Sequence, residues 1–220
     1  MSTVTDTVAR RNFLQQASAV ALGIGLLPQA LKADVADATA QDHDRWLANL
    51  RAPHRQLFDM PAFADGLPPV HILNYLETYN KAYGAKDSDI NVVGTFYGGT
   101  TLLAANDAMW AKHRIGELLG QNDASGKPAT ANPWRTSVRA LGMDLPPASI
   151  EALQKRGVLF IACNNALNFF IGQIANARSL DVAAVDKEIR ANLLPGVVVV
   201  PAMVIAIEKA QKAGIAYNRQ

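Results

Sequence analysis

Residues 157–165 read Gly157-Val158-Leu159-Phe160-Ile161-Ala162-Cys163-Asn164-Asn165. Five consecutive apolar residues are too few for a core helix. The glycine before them and the amides after them are turn and helix-start signals, so 158–162 reads as a strand buried on both faces. A helical run follows from Ala166 to about Ala177, and Val182–Asn192 reads as a further helix. Pro195-Gly196 then turns the chain into Val197-Val198-Val199-Val200, a second strand with no polar face. Pro201 opens a helix over Ala202–Ala213, Gly214 closes it, and Ile215-Ala216-Tyr217 reads as a last edge strand.

The same alternation extends toward the N-terminus. His54–Phe58 reads as a first strand, followed by a turn marked by Pro61, Gly66, Pro68 and Pro69. Ile72, Leu73, Leu76, Tyr79 and Tyr83 recur at helical spacing, with Gly84 as a C-terminal cap. Ile90–Tyr97 is a buried strand, and Gly98-Gly99-Thr100-Thr101 leads into a helix over Leu102–Leu119. The polar stretch 120–134 is a loop insertion, long enough for a functional flap or a disordered segment. Ile150–Arg156 is a short helix between the Pro146-Pro147 start signal and the Gly157 stop. Strands alternating with helices predict an α/β fold: three layers, α/β/α, around a mostly parallel sheet of about five strands. The apolar strands 158–162 and 197–200 are expected at its centre.

The chain has 220 residues, enough for one domain with a real core. Half of them are hydrophobic, 18% are charged, and the formal net charge is +2. Beyond residue 33 the acidic and basic residues balance at 18 each. No global field remains to attract nucleic acid or an anionic membrane.

The N-terminal segment has its own logic. Arg10-Arg11 with Phe13 and Leu14 resembles the twin-arginine export motif. The apolar stretch after it, Ala17 to Leu27, is diluted by Gly23 and Gly25 and is too short to span a bilayer. Small residues between 33 and 40 offer cleavage sites. The expected organisation is a signal peptide over 1–33, a lead-in over 34–53 with a short helix near Asp44–Leu50, and one domain over 54–220. The expected destination is the periplasm, reached through the twin-arginine machinery, with no membrane span in the mature form.

Chemistry concentrates on one atom. Cys163 is the only cysteine, which excludes an intrachain disulfide, a Cys-x-x-Cys pair and a cysteine zinc cluster. It stands at the carboxyl end of a parallel strand and just before a helix, where α/β proteins place their ligands and where helix amides stabilise a thiolate. Asn164 and Asn165 could cap that helix or donate to an anionic substrate. Gly98, Gly99 and Thr100 form a second strand-to-helix turn whose backbone amides could hold an anion, although it matches neither the P-loop nor the dinucleotide fingerprint. His43, His54, His71 and His113 show no metal-site spacing, and packing or surface roles are expected for them. Trp134 and Arg135, at the border of the loop, are read as packing residues. No metal or cofactor is implied.

The segment 157–165, the run Leu194-Pro195-Gly196-Val197-Val198-Val199-Val200-Pro201 and the ending Gly214-Ile215-Ala216-Tyr217 together resemble the DsrE/DsrF-like family. The likeness extends over 54–218 and is specific in the last third. Ala166 departs from it, standing where many relatives carry a hydroxyl residue. The resemblance implies a sulfur carrier or sulfurtransferase subunit that holds sulfur as a persulfide on Cys163. It further implies a homo-oligomer, trimer or hexamer, that exchanges sulfur with a donor or acceptor protein. The residues themselves leave open a non-catalytic protein that binds a small ligand or serves as an assembly subunit.

Overall fold

The structure is a computed structural model that describes residues 43–220. The expected signal peptide, its Arg10-Arg11 motif and the cleavage region lie outside the described residues. A short helix, α1 (Arg45–Ala48), leads into β1 (His54–Asp59), α2 (Leu67–Tyr83) and β2 (Ile90–Phe96). A 3-10 segment (Gly98–Ala104) and two short helices, α3 (Asp107–Lys112) and α4 (Ile115–Leu119), come next. A hairpin of β3 (Val138–Ala140) and β4 (Met143–Leu145) and the helix α5 (Ile150–Lys155) follow. The C-terminal part is β5 (Leu159–Cys163), α6 (Asn164–Arg178), α7 (Val182–Ala191), β6 (Val198–Val200), α8 (Met203–Lys212) and β7 (Ala216–Arg219).

The main sheet has five strands in the order β6-β5-β2-β1-β7, and all four pairings are parallel. One face carries Phe58, Val92, Phe96, Phe160 and Ala162 against α2, α5, α6 and α7. The other carries Leu57, Val93, Ile161, Cys163 and Val200 against α8 and α1. Helices on both faces make the three-layer α/β/α arrangement that the strand–helix alternation predicts. Burial of a side chain such as Phe160 contributes about 2 kcal/mol, and each central strand places large apolar residues on both faces.

The sheet differs from the sequence expectation at β6, which lies on an edge and not at the centre. Its valines are apolar because they serve both cores, Val197 and Val199 packing on one side and Val198 on the other. An absent polar face therefore reported two covered faces, not two neighbouring strands. The helix expected over Leu102–Leu119 is three pieces. Asn106 caps a fresh helix by accepting from the Met109 amide at 3.1 Å, and Arg114 breaks the next turn with φ 47°. The hairpin was not anticipated. Its turn places Leu141 and Gly142 at φ 53° and 76°, and a leucine gives no turn signal.

The insertion 120–134 is fastened down. Asn132 donates from Nδ2 to the carbonyls of Leu103 and Ala105, each at 2.8 Å, and accepts from the Trp134 amide at 3.1 Å. Gly116 lets the segment cross closely, since a Cβ there would sit 2.3 Å from the Ala129 carbonyl oxygen. Trp134 is buried and meets Phe63 edge to face at 5.4 Å, and Arg135 bridges Asp107 and Glu151. Both residues pack, as their position at the loop border suggests.

Candidate functional site

Parallel strands that all end on one side bring β5, β2, β1 and β7 to a common carboxyl edge, the position where α/β sheets bind ligands. Cys163 is the last residue of β5 and the N-cap residue of α6, with extended backbone. Its Sγ accepts a hydrogen bond from the Met203 amide at 3.4 Å. Met203 is the first residue of α8, and its N–H is one of those a helix leaves without an internal partner. The sulfur thus stands at the start of one helix while receiving the first amide of another. The dipole of α8 favours negative charge there, whereas Cys163 makes no side-chain capping bond to α6. The residue is buried, 6% exposed.

Asn164 and Asn165 are the first residues of α6 and not its cap, because β5 extends through Cys163 and the helix begins one residue later. Asn164 is buried beside the thiol, whereas Asn165 is exposed. The Gly98–Thr100 turn reaches the same edge from the neighbouring strand, and its 3-10 segment packs on α6. The Gly99 and Thr100 amides and the Thr100 hydroxyl are already engaged. The Gly99 amide donates to Pro61 O at 2.8 Å, and the Thr100 amide donates to Tyr97 O at 3.2 Å. The buried Thr100 hydroxyl donates to Met60 O at 2.5 Å. A Cβ at Gly98 would lie 2.9 Å from Pro61 O, and its φ is 56°, so the glycine serves a tight crossing. These bonds tie the turn to the end of β1 and to Tyr97.

Sequence reasoning missed a second group of polar residues on this edge. Asp59 ends β1 and is 1% exposed. Tyr217 donates from its hydroxyl to Asp59 Oδ2 at 2.6 Å, and Arg219 donates to the same oxygen from 3.3 Å. Asp59 Oδ1 is buried and has no hydrogen-bond partner. The Tyr97 phenol is pushed up by burial first and then by Asp59 beside it, and the Tyr217 phenol is raised by its hydrogen bond to Asp59 and then by burial. Both therefore stay protonated at neutral pH. Strand register unites this group with the thiol. Phe96 pairs with Ala162, so Tyr97 follows on the same face as Cys163, and Asp59 pairs with Arg219 one strand further. Tyr97 packs against the apolar cluster that contains Cys163. Only an aspartate at the end of the first strand could have signalled this from sequence, and exposed loops carry such residues routinely.

Three of the four histidines have recorded partners, each in a different place. His54 packs on Tyr79, His71 meets Gln220, and buried His113 faces Glu188 at 3.1 Å. Among the described residues no three His, Cys, Asp or Glu side chains gather into a metal-binding group. No described helix is long and apolar enough to cross a membrane.

No family model matches the chain, and no curated protein does. A solved structure of a protein of unknown function from Methanobacterium thermoautotrophicum is similar to it. The identity is 21% over 76% of this chain and 99% of that chain, with a TM-score of 0.36.

Proposed function

We propose that this protein is an exported carrier or transferase of sulfane sulfur that holds the sulfur as a persulfide on Cys163. The observation that carries the reading is the placement of Cys163 Sγ at the sheet's carboxyl edge, under the Met203 amide and at the head of α6. An anionic sulfur needs a donor, and the Met203 amide at the start of α8 is one. In the loading step the Cys163 thiolate attacks the outer sulfur of thiosulfate. The S–S bond of the donor breaks, sulfite leaves with the electron pair, and a Cys163 Sγ–S bond forms. In the unloading step an acceptor thiolate attacks the terminal sulfur and Cys163 leaves as thiolate. The DsrE/DsrF-like resemblance of the last third of the chain supports this assignment, with a donor or acceptor protein and a homo-oligomer as the expected partners. The Arg10-Arg11-x-Phe13-Leu14 pattern supports passage through the twin-arginine machinery to the periplasm.

A second reading is favoured by the packing of Cys163 among Ile161, Val200 and Met203. In it the thiol is a small core hydrophobe, and the domain is a periplasmic ligand-binding or assembly subunit. Intact-mass measurement after incubation with thiosulfate or polysulfide separates the two. A gain of about one sulfur atom, removed by reductant and absent in Cys163→Ser, is expected for the carrier. No gain, together with a thiol silent to alkylation until unfolding, would leave the second reading standing.

A further inference from the structure

β2 and β5 end side by side at the edge where parallel sheets take their ligands. Phe96 pairs with Ala162, and two residues further on the register brings Gly98 and Asn164 to the same level, on strand ends about 4.8 Å apart. The 3-10 segment that Gly98 opens packs on α6, which Asn164 opens. Each side brings unspent donors. The Gly98 amide has no hydrogen-bond partner among the described residues, unlike the amides of Gly99 and Thr100. α6 is 15 residues long, and its N-cap residue makes no side-chain capping bond. The first N–H groups of such a helix find no acceptor within it, and its dipole favours an anion at that end.

The Asn164 side chain adds an independent observation. It is only 8% exposed, yet its carboxamide has no hydrogen-bond partner among the described residues. A nearly buried amide left unpaired costs free energy that a ligand can recover. Neither of its polar atoms is sealed from solvent. Side chains of a helix lean toward its N-terminus, so that of the first residue overhangs the open end of α6.

We infer that this crevice binds a small oxyanion of the size of sulfate or phosphate. Its oxygens accept from the Gly98 amide, from the Asn165 and Ala166 amides at the head of α6, and from Asn164 Nδ2. These donors are neutral, so recognition rests on hydrogen bonds and the dipole of α6 rather than on an ion pair. The site does not depend on whether Cys163 carries sulfur.

The test is an amide NMR titration of the full chain with sodium sulfate and, separately, sodium phosphate, against sodium chloride at equal ionic strength. The Gly98, Asn165 and Ala166 amides and the Asn164 carboxamide are expected to shift together and saturably with an oxyanion and to stay in place with chloride. Binding of either oxyanion supports the assignment, and the tighter of the two names its source. Asn164→Asp keeps the side-chain shape, suits the first turn of a helix and sets a negative charge where the ligand sits. It should weaken binding about tenfold or more while leaving the urea midpoint unchanged or raised. Asn164→Ala, which removes the donor without adding charge, should weaken binding less. Cys163→Ser should bind as the unaltered protein does, so a failure of sulfur loading leaves the result untouched. Absence of saturable shifts at these four groups would overturn the assignment. So would equal shifts with chloride, or unchanged affinity in Asn164→Asp.

Discussion

The ring of Phe160 lies directly over Gly94, its partner across the β2–β5 pairing, so that a Cβ on Gly94 would meet Phe160 Cε1 at 2.6 Å. Phe96 stacks on the same ring with planes parallel to within 1° and centroids 5.0 Å apart. The glycine is a packing requirement of the strand that leads to Tyr97, next to the strand that delivers Cys163. Gly94→Ala is expected to lower unfolding stability by about 1–3 kcal/mol through overpacking. The midpoint of urea unfolding checks it.

The Met203 amide is expected to govern how readily Cys163 reacts. Met203→Pro deletes that N–H at the first helical position, which proline tolerates, and Ala202 before it is already extended. Met203→Ala removes the same buried side chain and keeps the amide. Alkylation of Cys163 at neutral pH should be several-fold slower in the proline variant than in the alanine variant, as followed by mass spectrometry. Equal rates would show that the 3.4 Å contact has no influence on the sulfur.

Asn132 is expected to control whether the 120–134 segment stays seated. Asn132→Ala strips partners from the carbonyls of Leu103 and Ala105 and from the Trp134 amide. The cost should be about 2–3 kcal/mol. Limited proteolysis should then cut within 120–131 at protease levels that leave the unaltered protein whole.

Acid should weaken the contact between α5 and the turn before β2. Arg156 donates from Nε and Nη2 to both oxygens of Asp87, each at 2.9 Å, and this holds the Asp87 carboxyl below the ordinary carboxylate range. A depressed folded value means that the stabilisation is fully present above the unfolded value and is lost as pH falls through the folded one. The carboxylate is partly exposed, so solvent limits the effect to about 1 kcal/mol. Urea midpoints should therefore decline as pH falls below about 4, and the decline should be shallower in Arg156→Gln.

The elements most legible in the sequence were those whose boundaries carry a backbone requirement. Gly84 and Gly214 stand at positive φ just past α2 and α8, and β5, β2 and the first and last strands fall within two residues of their expected limits. Strand order was not legible at β6, because two covered faces look alike in a central strand and in an edge strand between two cores. The hairpin escaped because Leu141 occupies a position that glycine or asparagine usually announces. Cys163 was visible as a lone thiol at a strand end. The Asp59 group was not, since Asp59 and Tyr217 stand 158 residues apart and only the sheet register joins them.

That separation also sets a schedule for synthesis. Among the described strands β7 is made last, and it pairs with β1, the first of them. Until the ribosome has delivered Tyr217 and Arg219, Asp59 has neither of its side-chain donors and β1 keeps one hydrogen-bonding edge bare. The β1 edge of the sheet is therefore covered only after every other described strand has been made, and removal of residues 217–220 would leave that edge bare.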